Sequence, residues 1–211
     1  MKNFAIIGAG GQCRALLSIL EKLPNYNLCK IFDLSSVLID KFISGIPVEK
    51  WDGVQHSETS LGYFLAIGEN KLRKKIYQEL VKYGRNVPSL IAKDTIINET
   101  AKIGPGVVIG SNAFIGFGVT IKENSLVNTG AIIEHETIIG EHCNIGPGSI
   151  ICGRVEILSL CNIGAGSIVR DKIFINKNTT LGAGAVLVKN VHFEGKTLVG
   201  VPAKLSHENE D

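Results

Sequence analysis

Between Ile91 and Leu187 the chain carries Ile, Val or Leu at every sixth position without a slip: Ile91, Ile97, Ile103, Ile109 and onward to Val169, Ile175, Leu181 and Leu187. Four residues after each anchor most repeats place a small or modest side chain, as at Val107, Ala113, Ser125, Thr137, Cys143, Ser149, Cys161 and Ala185. Glycine often follows the anchor directly, as at Gly104, Gly110, Gly116, Gly140, Gly146, Gly164 and Gly182. This period fits neither an amphipathic helix, at about 3.6, nor a half-buried strand, at about two. It predicts a parallel β-helix in which each hexad is a short strand and a turn, and three hexads close one triangular coil. The large aliphatics point inward and stack on their equivalents one coil away. One coil cannot bury its apolar face alone, so several must stack. Ile103 to His192 leaves room for five coils, with a partial coil before them.

The first 88 residues follow another rhythm. Phe4 to Ile7 is apolar and runs into Gly8-Ala9-Gly10-Gly11, after which Cys13, Leu16, Leu17 and Leu20 recur at helical spacing. Strand, glycine turn and helix open a Rossmann-like α/β unit, whose turn presents backbone N–H groups to an anion. The third glycine of the dinucleotide fingerprint is missing, since Cys13 stands there. Cys29 to Phe32 reads as a second strand ending at Asp33, where an acidic residue can meet a ribose hydroxyl or simply face solvent. Residues 36–60 give little periodic signal and read as a variable segment with a short third strand. Phe64 to Ile67 reads as a further strand, followed by Gly68-Glu69-Asn70. Asn70 is the expected N-cap of a helix with an apolar stripe of Leu72, Ile76, Leu80 and Val81. Lys71, Arg73, Lys74 and Lys75 read as its solvated face, and Gly84 closes it. The expected division is an α/β domain over 1–88, a β-helix domain over 89–205 and a polar, disordered tail over 206–211.

Composition narrows the classes. A net charge of +2 gives no reason to expect nucleic acid or an anionic membrane as partner. No apolar run reaches the ~18 residues of a membrane span. The N-terminal MKNFAIIGAGG reads as a first strand, not a cleaved signal. Five cysteines, an odd number without a secretory signal, point to a reduced, cytoplasmic setting. Cys143 and Cys161 fall on the inward small position one coil apart and read as packing residues.

The hexads, the closing Gly200-Val201-Pro202-Ala203-Lys204, the Gly8-Ala9-Gly10-Gly11 turn and the segment from Ala66 to Tyr77 together resemble a known family end to end. It is that of the left-handed β-helix sugar acetyltransferases with a Rossmann-like first domain, which includes UDP-4-amino-sugar N-acetyltransferases and sialic acid O-acetyltransferases. The left-handedness, an exception to the usual crossover rule, comes from this resemblance. The family's catalytic pattern reads here Asn128-Thr129-Gly130-Ala131-Ile132-Ile133-Glu134-His135-Glu136. It implies His135 as general base, a role an imidazole suits near neutral pH. The match implies Glu136 as the orienting carboxylate, but strand alternation puts Glu134 on the same side, and both stay open. The resemblance further implies acetyl-CoA as co-substrate, no metal, direct transfer without an acyl-enzyme, and the Gly153 N–H as oxyanion donor. CoA contacts are implied at Asn144, Gly153, Ala165, Ala183 and Pro202. Acceptor contacts are implied at Gly10, Gly11, Gln12, Asp33, Gly68, Asn70 and Asn128. A homotrimer with CoA between neighbouring β-helices completes the picture, serving bacterial surface glycan synthesis. Two departures stand out: Asn144 replaces a histidine of the amino-sugar enzymes, and Gln12 replaces a histidine of the nucleotide-sugar turn.

Other functions fit less well. O-acetylation of a sialic-acid-like sugar would use the same base and groove. A β-helix zinc enzyme of the carbonic-anhydrase type needs three converging imidazoles, whereas His135 and His142 fall on different hexad positions and His56, His192 and His207 lie elsewhere. A non-catalytic scaffold would not need an outward histidine between two carboxylates. For an NAD-dependent oxidoreductase the first domain is too short.

Overall fold

The computed structural model describes residues 2–35 and 41–206. Part of the variable segment and the tail His207 to Asp211 lie outside the described residues. The first region is a parallel sheet with a hairpin at one edge, in the order β3 (Phe42–Ile43), β4 (Ile46–Lys50), β2 (Tyr26–Asp33), β1 (Lys2–Ile7), β5 (Gly62–Leu65). β1 pairs in parallel with both β2 and β5, so the ends of all three deliver the Gly8 turn, Asp33 and Gly68 to one edge. Helix α1 (Gly11–Leu20) follows that turn and buries Cys13, Leu16, Leu17, Ile19 and Leu20. Gly8 makes the turn possible. Its φ of +106° favours glycine, and a Cβ there would strike the Ala66 carbonyl.

From Leu90 to Leu187 the chain winds through two-residue strands, each ending on an aliphatic anchor. They stack into three parallel faces. The first face begins at Leu90–Ile91, the second at Ile96–Ile97 and the third at Lys102–Ile103. Within every pair the anchor points inward, and from Ile109 to Leu187 all are buried. The small position is inward too: Ala113, Ser125, Thr137, Cys143, Ser149, Cys161 and Ala185 are all at most 1 % exposed. The expected β-helix is therefore present, with coils of the left-handed hexapeptide type. Each turn from the one after Ile103 to the one after Leu181 places a residue at positive φ three positions after the anchor, such as Gly118, Asn124, Glu136, His142 and Arg154. Above the last coil, Thr197–Val199 joins the first face in parallel and Lys204–Leu205 then pairs with it antiparallel.

The two regions share one apolar cluster, in which Leu90, Val108 and Leu126 of the first face pack with Phe4, Cys13, Leu16 and Leu17. Helix α2 (Asn70–Lys82) fixes the other side of this joint and corrects three expectations. Its N-cap is Glu69, whose carboxylate accepts from the N–H groups of Lys71 and Leu72 at 2.8 and 2.7 Å. Its inward stripe is Arg73, Ile76, Tyr77 and Leu80, while Val81 is 51 % exposed. Arg73 is wholly buried, not solvated. Its guanidinium donates to the carbonyls of Ile67, Asn124, His142 and Cys143 at 2.9–3.2 Å and to Asn70 Oδ1 at 2.8 Å. Burial pushes Arg73 down to about 10, so it stays charged at neutral pH.

Candidate active site

His135 follows the anchor Ile133 by two, on the corner where the second face turns into the third. Its ring is about half exposed. His135 Nδ1 lies 3.2 Å from Glu136 Oε2. Glu136 owes this placement to its φ of +58°, which turns its side chain off the strand line and back beside the ring. Of the two carboxylates left open by the sequence, Glu136 is the partner, and Glu134 bonds to no part of the ring among the described residues. The Arg154 guanidinium, then the His135 ring, hold the Glu136 carboxyl below the usual carboxylate range. The other face of the imidazole covers Gly153, one coil above. A Cβ on Gly153 would collide with His135 Nε2, so only glycine lets the ring lie there. Gly153 is buried beneath the ring, and its N–H has no acceptor among the described residues.

A second group of expected residues gathers on the first face and its far corner. Gln12 Nε2 stands 3.5 Å from Asn128 Oδ1, at the limit of a hydrogen bond. Asn128 Nδ2 donates to Asn144 Oδ1 at 2.8 Å, and Asn144 Nδ2 to Asn162 Oδ1 at 2.9 Å. The amides thus form a ladder from the turn at the start of α1 up the β-helix. Asn162 was not singled out from the sequence, though its place, eighteen residues after Asn144, is a readable signal. Ala165 and Ala183 are exposed on the same corner as Thr129, and Pro202 is exposed in the closing segment.

At the edge of the α/β sheet, Gly10, Gly11 and Gly68 have open space where a Cβ would sit, so packing does not demand glycine there. Asp33 is nearly buried and both its oxygens are engaged locally, by the Leu34 N–H and the Ser35 hydroxyl at 2.9 Å each. Asn70, expected as an acceptor contact, is engaged within the chain. Its amide donates to the carbonyls of Leu160 and Cys161 at 3.1 and 3.0 Å and its oxygen takes Arg73, so it joins the two regions instead. His142, the other histidine of the β-helix, is buried, and its Nδ1 accepts from Asn124 Nδ2 at 2.8 Å. It does not meet His135. No group of three His, Cys, Asp or Glu side chains able to hold a metal ion occurs among the described residues.

The comparisons with known proteins follow this geometry. Residues 3–80 match the PglD N-terminal domain, and residues 86–186 match the GMPPB C-terminal domain. The structure superposes on the acetyltransferase domain of PglB from Neisseria gonorrhoeae with a TM-score of 0.91 at 28 % identity, over 98 % of this chain and 100 % of that one. Over nearly its whole length the chain is similar to hexapeptide-repeat sugar acetyltransferases. PerB from Caulobacter crescentus, solved in complex with CoA and GDP-perosamine, matches this chain with a TM-score of 0.88 at 27 % identity, over 97 % of each chain. WeeI from Acinetobacter baumannii, 21 % identical over 97 % of this chain and 100 % of its own, shares the fold with a TM-score of 0.80. Among the described residues, no helix is long and apolar enough to cross a membrane.

Proposed function

We propose that the protein transfers the acetyl group of acetyl-CoA to the amine of a nucleotide-linked amino sugar, with His135 as general base. One observation carries this reading: His135 is held at Nδ1 by Glu136 while Nε2 lies over the glycine whose N–H is free. Nε2 takes the proton of the acceptor amine as it attacks the thioester carbonyl. The Gly153 N–H faces the oxygen that gains negative charge, and Glu136 balances the imidazolium. Collapse of the tetrahedral adduct expels the CoA thiolate, to which the imidazolium returns the proton.

In this reading residues 1–88 form a Rossmann-like domain that receives the nucleotide, and residues 89–205 perform the transfer. The open glycines at the carboxyl ends of β1 and β5 support the first assignment. The amide ladder from Gln12 to Asn144, with Ala165, Ala183 and Pro202 beyond it, supports a path for CoA along the first corner. The active unit is a homotrimer. The outward row of the second face is Ile96, Phe114, Ile132, Ile150, Ile168 and Val186, exposed or half-buried in the single chain. His135 stands on one edge of that row and Asn128 on the other, so a neighbouring copy on this face would complete the site. The five free cysteines fit a reduced, cytoplasmic setting.

The test is acetyl-CoA-dependent thiol release with UDP-, GDP- and dTDP-linked amino sugars and with free sialic-type sugars. Turnover of one nucleotide-linked amino sugar is expected, reduced by ~10²-fold or more in His135→Ala. Full activity in that variant overturns the mechanism. Turnover of free sugars alone replaces amine acetylation with O-acetylation.

A further inference from the structure

The corner that carries His135 also holds a guanidinium. Arg154 stands one coil above Glu136 in the same left-handed position, with φ of +60° against +58°. Its backbone N–H donates to the His135 carbonyl at 2.9 Å. Its Nε donates to Glu136 Oε2 at 2.8 Å, the same oxygen that lies 3.2 Å from His135 Nδ1. One carboxylate oxygen therefore joins the guanidinium to the imidazole.

The chemistry of that oxygen has a direction. A carboxylate paired with a guanidinium is ionised and can only accept. The ring nitrogen facing it must then be the N–H donor, which leaves the lone pair on the nitrogen over Gly153. The charge matters as well as the contact. On its own coil the ring pairs with Glu136 and has Glu134 as its chain neighbour, and the coil above brings Arg154 to Glu136 and Cys152 to the level of Glu134. Asp171, one coil further on, is paired with Arg170 and Lys172 at 3.9 and 4.0 Å. The coil below offers Phe117 and Gly118, without charge. Arg154 is thus the cation in contact with the Glu136 and His135 pair, and without it an unbalanced carboxylate favours the protonated ring.

We propose that Arg154 is a positioning residue: it holds Glu136 as a fixed, ionised acceptor, so that His135 keeps its proton on Nδ1 and presents Nε2 as the base. The proposal rests on the reading of His135 as base. Its test combines ¹H–¹⁵N spectra of histidine-labelled protein, assigned with His135→Asn, with pH profiles of kcat/KM for wild type, Arg154→Gln and Arg154→Lys. Wild type is expected to show the Nδ1–H form at pH 7.5. In Arg154→Gln the Nδ1–H form should no longer dominate the spectrum, and the acid limb of kcat/KM should move to higher pH. Activity at pH 7 should fall by about 5–10-fold, with kcat more affected than KM. Arg154→Lys, which keeps the charge, should recover most of the shift. Both variants should keep the wild-type fold by circular dichroism, since the side chain is 55 % exposed. An Arg154→Gln protein with wild-type tautomer and pH profile overturns the proposal while His135→Ala remains inactive. A fully active His135→Ala overturns the proposal together with the reading on which it rests.

Discussion

Gly153 is the residue on which the site's geometry turns. Its φ is not in the left-handed region, so the backbone accepts any side chain there, and the nearest obstacle to a Cβ is the His135 ring. Gly153→Ala should push the imidazole off its seat and lower kcat/KM by about 10²-fold or more, the scale expected for a misplacement near 1 Å. The thermal midpoint should move little, because no buried contact of the β-helix is broken. Steady-state kinetics beside a melting curve check both halves. At this scale the sequence was readable in part. The motif singles out His135 and the resemblance Gly153, and the structure brings the two into contact. Strand alternation could not choose between Glu134 and Glu136, because the chain leaves the strand at Glu136 in a left-handed turn. Arg154 and Asn162 were missed for one shared reason. Each partners a residue eighteen positions earlier, Glu136 and Asn144, and such pairs appear only when the coils are written one above another.

Helix α2 shows what a pattern of polar and apolar letters conceals. Arg73, Ile76, Tyr77 and Leu80 have the spacing of one buried helical face, and only its charge hides Arg73 from a polar–apolar pattern. The corners it meets expose carbonyls, which a five-donor guanidinium satisfies without any carboxylate. The same joint is sensitive to acid. His142 packs edge-on against Tyr77, with Glu123 3.9 Å from Nε2 and Arg73, Lys74 and Glu141 near it. Burial, then Lys74 and Arg73, push it down to about 4. Its folded value lies below the unfolded one, so the unfolded chain takes up this proton first. The stability it contributes is complete above about pH 6.5 and is lost as pH falls toward 4, up to about 3 kcal/mol in all. His142→Asn keeps a side chain already seen at positive φ in Asn124 and Asn178. Urea midpoints at fixed protein concentration should fall less steeply between pH 7 and 4.5 in this variant than in wild type. Equal slopes would refute the assignment.

For the whole molecule, the hexad rhythm foretold the coils, but the joint between the two regions had no signature in it. That joint divides the first face: Val108 and Leu126 are buried against α1, whereas Asn144 and Asn162 above them are half-buried and polar. The second face has no such cover and stays apolar from Ile96 to Val186. Light scattering should give about three times the 22.7 kDa of one chain. Ile150→Glu, at the middle of the row, should yield monomers with little activity, because a buried unpaired carboxylate opposes association. A monomeric but fully active Ile150→Glu would exclude a shared site.

The closing strands have a further consequence. A stack of parallel coils ends in unpaired backbone groups, on which another molecule can lay its own first coil and start a fibre. Here Thr197–Val199 continues the first face, and Lys204–Leu205 then reverses direction across it. The reversed strand presents the wrong polarity to an incoming coil. The segment that closes the candidate CoA path is therefore also a polymerisation stop, and a chain truncated before Thr197 would be expected to lengthen into filaments.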